Sequence, residues 1–174
     1  MKVWCEVNIL KKMSDTYSEF MRSLKPGVWI KVRCRASGTK KQTFGYWHHG
    51  IVSNVNGEEI LVIHFGQPEN KEKSELEVVE TSLEWFLSNG EDPRIVDGEP
   101  AYEFEEVVER AMSYVGSAGY KLPLRNCEHF ASHCYSGSAF SKQVYGFGIV
   151  AGVTAAVFSV LSIIALRLSK TRWV

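Results

Sequence analysis

The residues of this chain best suited to chemistry are the run Asn126-Cys127-Glu128-His129-Phe130 and three upstream histidines, His48, His49 and His64. Cys127 follows a good helix-capping residue and opens an apolar-patterned helix. A thiol in the first turn of a helix meets unsatisfied backbone N–H groups and the positive end of the helix dipole. Both favour the thiolate, which is the nucleophile. Cysteine statistics alone favour a small buried hydrophobe. The histidines turn the reading toward nucleophilic catalysis, because a thiol needs a nearby base and the base needs a partner that fixes its tautomer.

The elements that must position these groups follow from residue periodicity. Val28 to Arg35 alternates, with Ile30, Val32 and Cys34 on one face and Lys31, Arg33 and Arg35 on the other, as in a half-buried strand with a basic outer face. Phe44–Val52 and Glu59–Phe65 read as two further strands joined by Ser53–Glu58, in which Asn56-Gly57 is a hairpin signal. His48, Gly50 and Val52 share one face of the first strand, and Ile60, Val62 and His64 share one face of the second. Antiparallel pairing then sets His48 beside His64. His49 points the other way and reads as a surface or satisfied structural histidine.

Elsewhere the pattern is mostly helical. Apolar positions from Val3 to Leu24 recur at helical spacing and predict an amphipathic helix docked on the domain. Lys25-Pro26-Gly27 breaks it. A short strand is expected at Leu76–Val79, a single helical turn at Ser82–Leu87 and a linker at Asn89–Glu99. Pro100 starts a helix whose buried stripe is Phe104, Val107, Val108, Ala111 and Val115. On the Cys127 helix, which runs to about Tyr135, Cys127, Phe130, Ala131 and Cys134 share a face, so Cys134 reads as packing.

At 174 residues the chain is long enough for one domain with its own core, and its 20 basic and 20 acidic residues cancel. That balance gives no reason to expect nucleic acid as a partner. The distribution is uneven. Arg22 to Lys41 holds seven bases and no acid, whereas Glu58 to Glu109 holds sixteen acids and three bases. The basic part is suited to anionic lipid headgroups, or is simply a solvated face. The four cysteines show no C-x-x-C pair and no zinc spacing, and residues 1–24 lack an apolar signal core. A reduced compartment is therefore expected.

From Tyr145 to Leu166 no residue is charged. Those positions span a hydrocarbon core of roughly 30 Å as a helix. Arg167, Lys170, Arg172 and Trp173 mark a far interface. The expected organisation is an N-terminal extension at 1–24, a catalytic domain at 25–144, a transmembrane tail anchor at 145–166 and a basic tail at 167–174. Such an anchor keeps the catalytic domain in the cytosol.

Taken together, these stretches resemble the lecithin:retinol acyltransferase-like family within the NlpC/P60 superfamily, which includes small phospholipase A/acyltransferases. His48-His49-Gly50-Ile51 is similar to the family's His-x-Gly-Ile strand, Val62-Ile63-His64-Phe65 to its partner, and Asn126-Cys127-Glu128-His129-Phe130 to its most distinctive motif. Lys25-Pro26-Gly27 and Ser141-Lys142-Gln143-Val144 match further. The spacing of 16 from His48 to His64 is longer than the family's, as if the hairpin tip were extended, and the N-terminal segment has no counterpart.

The resemblance implies an α+β fold, an NlpC/P60-like antiparallel sheet packed against helices. It implies Cys127 as nucleophile, His48 as general base and His64 as the group orienting that base. Asn126, Glu128 and His129 take structural roles in the motif. The expected activity is membrane-tethered thiol acyl transfer from glycerophospholipids through a Cys127 acyl-thioester, with water, an amine or an alcohol as acceptor. No metal or dissociable cofactor is expected, since His48 and His64 lack a third ligand and thiol acyl transfer needs none. Lys31, Arg33 and Arg35 are candidate headgroup contacts. Two other readings remain open: a peptidase-like hydrolase using the same Cys/His set, and a catalytically idle membrane adaptor. Oligomeric state is left open, with Gly148 and Gly152 forming a weak small-residue pattern.

Overall fold

A computed structural model describes residues 15–35, 45–57, 59–68, 76–88, 90–119, 125–146, 148–154 and 158. The chain divides into two units, Met1–Phe140 and Ser141–Val174.

The first unit is built on a five-stranded antiparallel sheet. Its strands are β1 (Trp29–Arg35), β2 (Gly45–Asn56), β3 (Glu59–Gly66), β4 (Glu77–Ser82) and β5 (Gly90–Ile95), in the order β4-β3-β2-β1-β5. Three helices follow or interrupt them: α1 (Leu83–Leu87), α2 (Phe104–Met112) and α3 (Cys127–Ser136). This is the expected α+β arrangement of antiparallel sheet and helices.

Strand alternation sorts the core into two layers. On one face Ile30, Val32, Cys34, Val52, Ile60 and Val62 pack with Leu83 and Phe86, with Phe20 of an N-terminal helix described over residues 15–22, and with Leu24 just beyond its end. On the other face Ile51, Ile63 and Phe65 pack with Val107 and Ala111 of α2 and with Cys127, Phe130, Ala131 and Cys134 of α3. The described part of the expected N-terminal helix is thus docked on the sheet, while its residues 3–14 lie outside the described residues; Cys134, fully buried, serves packing.

Several local features differ from the sequence expectations, among them the helix expected from Pro100, which starts only at Phe104 and ends at Met112, leaving Val115 exposed rather than in its buried stripe. The β2–β3 connection is tight: Asn56 pairs with Glu59, and one extra residue, Ser53, enters β2 itself through a register shift between Val52 and Asn54. β4 runs on to Ser82, which brings Thr81 into the sheet. The segment expected to be a linker contains β5, paired with β1 through a register shift between Lys31 and Arg33. There Asp92 takes a left-handed conformation (φ 57°), and Pro93 is tolerated because β5 is an edge strand.

In the second unit, residues 142–146 and 148–154 are helical, and Ser141 Oγ accepts from Val144 N at its start. Tyr145, Ile149, Val150, Val153 and Phe158 are exposed. Among the described residues no helix is long and apolar enough to cross a membrane. Much of the expected span at 145–166, and the tail at 167–174, lie outside the described residues.

Candidate active site

Asn126 starts α3 in extended conformation, and its side-chain oxygen accepts hydrogen bonds from Glu128 N and His129 N, both at 3.0 Å. That satisfies two of the amides a helix start leaves orphaned and fixes the first turn. The helix ends on Gly137, whose left-handed φ of 74° suits glycine. Between these stops, Cys127 is held facing the sheet and is buried.

The thiol lies at the edge of β2. Its Sγ donates toward Trp47 O at 3.8 Å and receives the main-chain N–H of His49. The β2–β3 ladder ends at the Gly50–His64 pair, so both contacts fall just before its first rung on β2. Burial pushes the Cys127 thiol up to about 12, and the Glu128 carboxylate adds to the rise. The N–H groups of His49, Glu128 and Cys127 pull the other way without overcoming it. The expectation that a helix start would favour a resting thiolate is therefore corrected: desolvation outweighs the local amides.

His48 and His64 meet on the opposite face. His48 Nε2 and His64 Nδ1 are 2.9 Å apart with perpendicular rings, and Phe86 packs against both. His64 Nε2 lies 3.0 Å from Thr81 Oγ1. Burial lowers His48 to about 4. It lowers His64 to about 3, with the neighbouring His48 charge adding to the effect. Both imidazoles are therefore neutral at ordinary pH. The pair lines a cleft of about 230 Å³ with Tyr46, Leu76, Trp85 and Phe86. Cys127 is not among its walls, and the thiol's contacts are with the main chain on either side of His48 rather than with its ring.

His49 is buried, with its Nδ1 accepting from Trp29 Nε1 at 3.0 Å. That lone pair is committed, so His49 is a satisfied structural histidine. Trp29 also packs on Tyr135 near the far end of α3. Glu128 is buried, close enough to Cys127 and His49 to act on both electrostatically. His129 lines a separate cleft with Tyr114, Arg125 and His133.

Of the basic residues, Lys31 Nζ stands 4.9 Å above the Trp47 ring and Arg94 Cζ 5.4 Å from it, with Arg94 also paired to Asp92. Arg33 is exposed on the same face of β1 as Lys31, and the side chain of Arg35 lies outside the described residues. Sequence reasoning passed over Thr81, Tyr46 and Phe86. The available signal was parity: Val79 pairs with His64, which puts Thr81 on the same face of β4.

The sequence pattern of one family, described as lecithin retinol acyltransferase, matches residues 23–140, a stretch that includes β1 to β5, α1 to α3 and all of the residues above. The chain belongs to this family. Members of the lecithin retinol acyltransferase family are typically acyltransferases or phospholipases. No curated protein matches the chain.

Proposed function

We propose that this lecithin retinol acyltransferase family member is a thiol acyl-transfer enzyme acting on glycerophospholipids. The observation that carries the reading is the neutral, hydrogen-bonded His48–His64 pair lining a cleft, with the Cys127 thiol seated on the main chain that flanks His48. A neutral imidazole is a base, and a buried thiol needs one.

In the reaction, Sγ leaves the Trp47 carbonyl for the His48 ring and attacks the ester carbonyl as His48 takes its proton. The tetrahedral oxyanion forms among the N–H groups around the sulfur. Its collapse breaks the ester C–O bond, and His48 returns the proton to the departing lysophospholipid oxygen. Water, an amine or an alcohol then takes the acyl group from the Cys127 thioester. His64 orients His48, while Asn126 and Glu128 hold the helix start.

The half-buried Lys31, the exposed Arg33 and the Trp47 ring suit a headgroup surface, since tryptophan and basic side chains are favoured at lipid interfaces. The uncharged stretch 145–166 tethers the domain to the bilayer from the cytosolic side, so that enzyme and lipid share one surface.

The test is intact-mass analysis of the protein after exposure to phosphatidylcholine vesicles with and without phosphatidylethanolamine. An acyl adduct on the wild type, absent from Cys127→Ala, is expected. Folded protein with neither adduct nor lipid turnover would sink the reading.

A further inference from the structure

Thr81 is buried on β4, donates no part of the expected catalytic set and touches His64. Its geometry settles a question that the His48–His64 distance alone leaves open, namely which ring nitrogen of His48 carries a lone pair. We propose that Thr81 is a positioning residue: it polarises the hydrogen-bond chain Thr81–His64–His48 so that His48 presents Nδ1 as its basic atom. This rests on the reading of His48 as the base.

The argument starts from a group with only one possible role. The Ser82 carbonyl oxygen accepts and cannot donate, and Thr81 Oγ1 lies 3.3 Å from it. Ser82 is itself pinned as the N-cap of α1, its side chain accepting from Trp85 N. With its proton directed to Ser82 O, Thr81 Oγ1 offers lone pairs to His64 Nε2 at 3.0 Å, so that nitrogen carries the hydrogen. A neutral His64 then has its lone pair on Nδ1. His48 Nε2, 2.9 Å away, must donate to it, and neutral His48 is left with its lone pair on Nδ1. The opposite polarity would have Thr81 donate to His64, and it would place a hydrogen on His48 Nδ1, leaving the only lone pair turned toward His64.

The proton balance is simple. The Cys127 proton goes to His48 Nδ1, giving an imidazolium whose Nε2–H still points at His64. It later leaves from the same Nδ1 to the leaving oxygen. No proton moves along the chain, so Thr81 and His64 orient the base without relaying.

The experiment is long-range ¹H–¹⁵N correlation of the histidine rings in the full chain near neutral pH, for wild type, Thr81→Val and Thr81→Ser. Wild type is expected to show both His48 and His64 as Nε2–H tautomers. Thr81→Val should mix or reverse the His64 tautomer and shift that of His48, and Thr81→Ser should restore both. Turnover of phosphatidylcholine by Thr81→Val should fall at least about tenfold in kcat with KM unchanged, since general-base catalysis is worth about 10²–10⁴-fold.

An Nδ1–H His48 in the wild type, or tautomers unmoved in folded Thr81→Val, overturns the proposal. Should Thr81→Val not fold, the wild-type spectrum and Thr81→Ser still decide it. Expected tautomers in a protein without lipid turnover would uphold the chain of hydrogen bonds while overturning the lipid function.

Discussion

The Cys127 sulfur lies 3.8 Å from the main-chain oxygen of Trp47, the residue immediately before His48. The proposed nucleophile is therefore parked on the backbone of the strand that carries its proposed base, with its proton directed to a carbonyl. Because burial holds the thiol near 12, the resting site contains thiol and neutral imidazole rather than a thiolate–imidazolium pair.

Alkylation of Cys127 by iodoacetamide, followed by peptide mass, should climb with pH beyond about 8.5, the ordinary thiol value. A rate that levels off near neutrality would reveal a resting thiolate and contradict this arrangement.

Stability should fall in acid. Burial lowers His48, His49 and His64 from 6.5 to about 4, 4 and 3 respectively. The unfolded chain therefore binds more protons than the folded one between those values, so stability rises with pH across that window. It is complete above about pH 6.5 and drains away as pH drops toward about 4. Melting temperatures that stay level from neutral pH down to this range would show that the rings are not buried neutral.

A Cβ on Gly66 would collide with the His64 ring, at Cε1 and Nδ1. Gly66→Ala should displace that ring from His48. Phospholipid turnover is expected to drop by about tenfold to a hundredfold, as misplacement of a catalytic group by about 1 Å does. The unfolding free energy should change by no more than about 1–3 kcal/mol. Wild-type turnover in Gly66→Ala would mean that the His48–His64 contact is dispensable.

Asn126→Ala removes the acceptor for Glu128 N and His129 N and should cost about 1 kcal/mol in urea unfolding, with Asn126→Asp close to wild type. Equal losses for the two substitutions would argue that the side chain does something other than cap.

The sequence by itself determined the antiparallel strands, the opposed faces of His48 and His49, the capped helix behind Cys127 and the family. These are local matters, set by residue periodicity, capping chemistry and short motifs. It did not determine the bulged extension of β2, the edge strand at Gly90–Ile95 or the arrival of Thr81 at His64. Pro93 and the acidic, glycine-flanked composition there give no strand signal, and pairing with β1 supplies what propensity lacks. The protonation state of the site was likewise a tertiary decision. A helix start stabilises a thiolate locally, but here Cys127 is closed off by Ile51, Ile63 and its own helix, and the loss of water is the larger effect. Desolvation depends on everything packed around a group, and no local pattern in the chain encodes it.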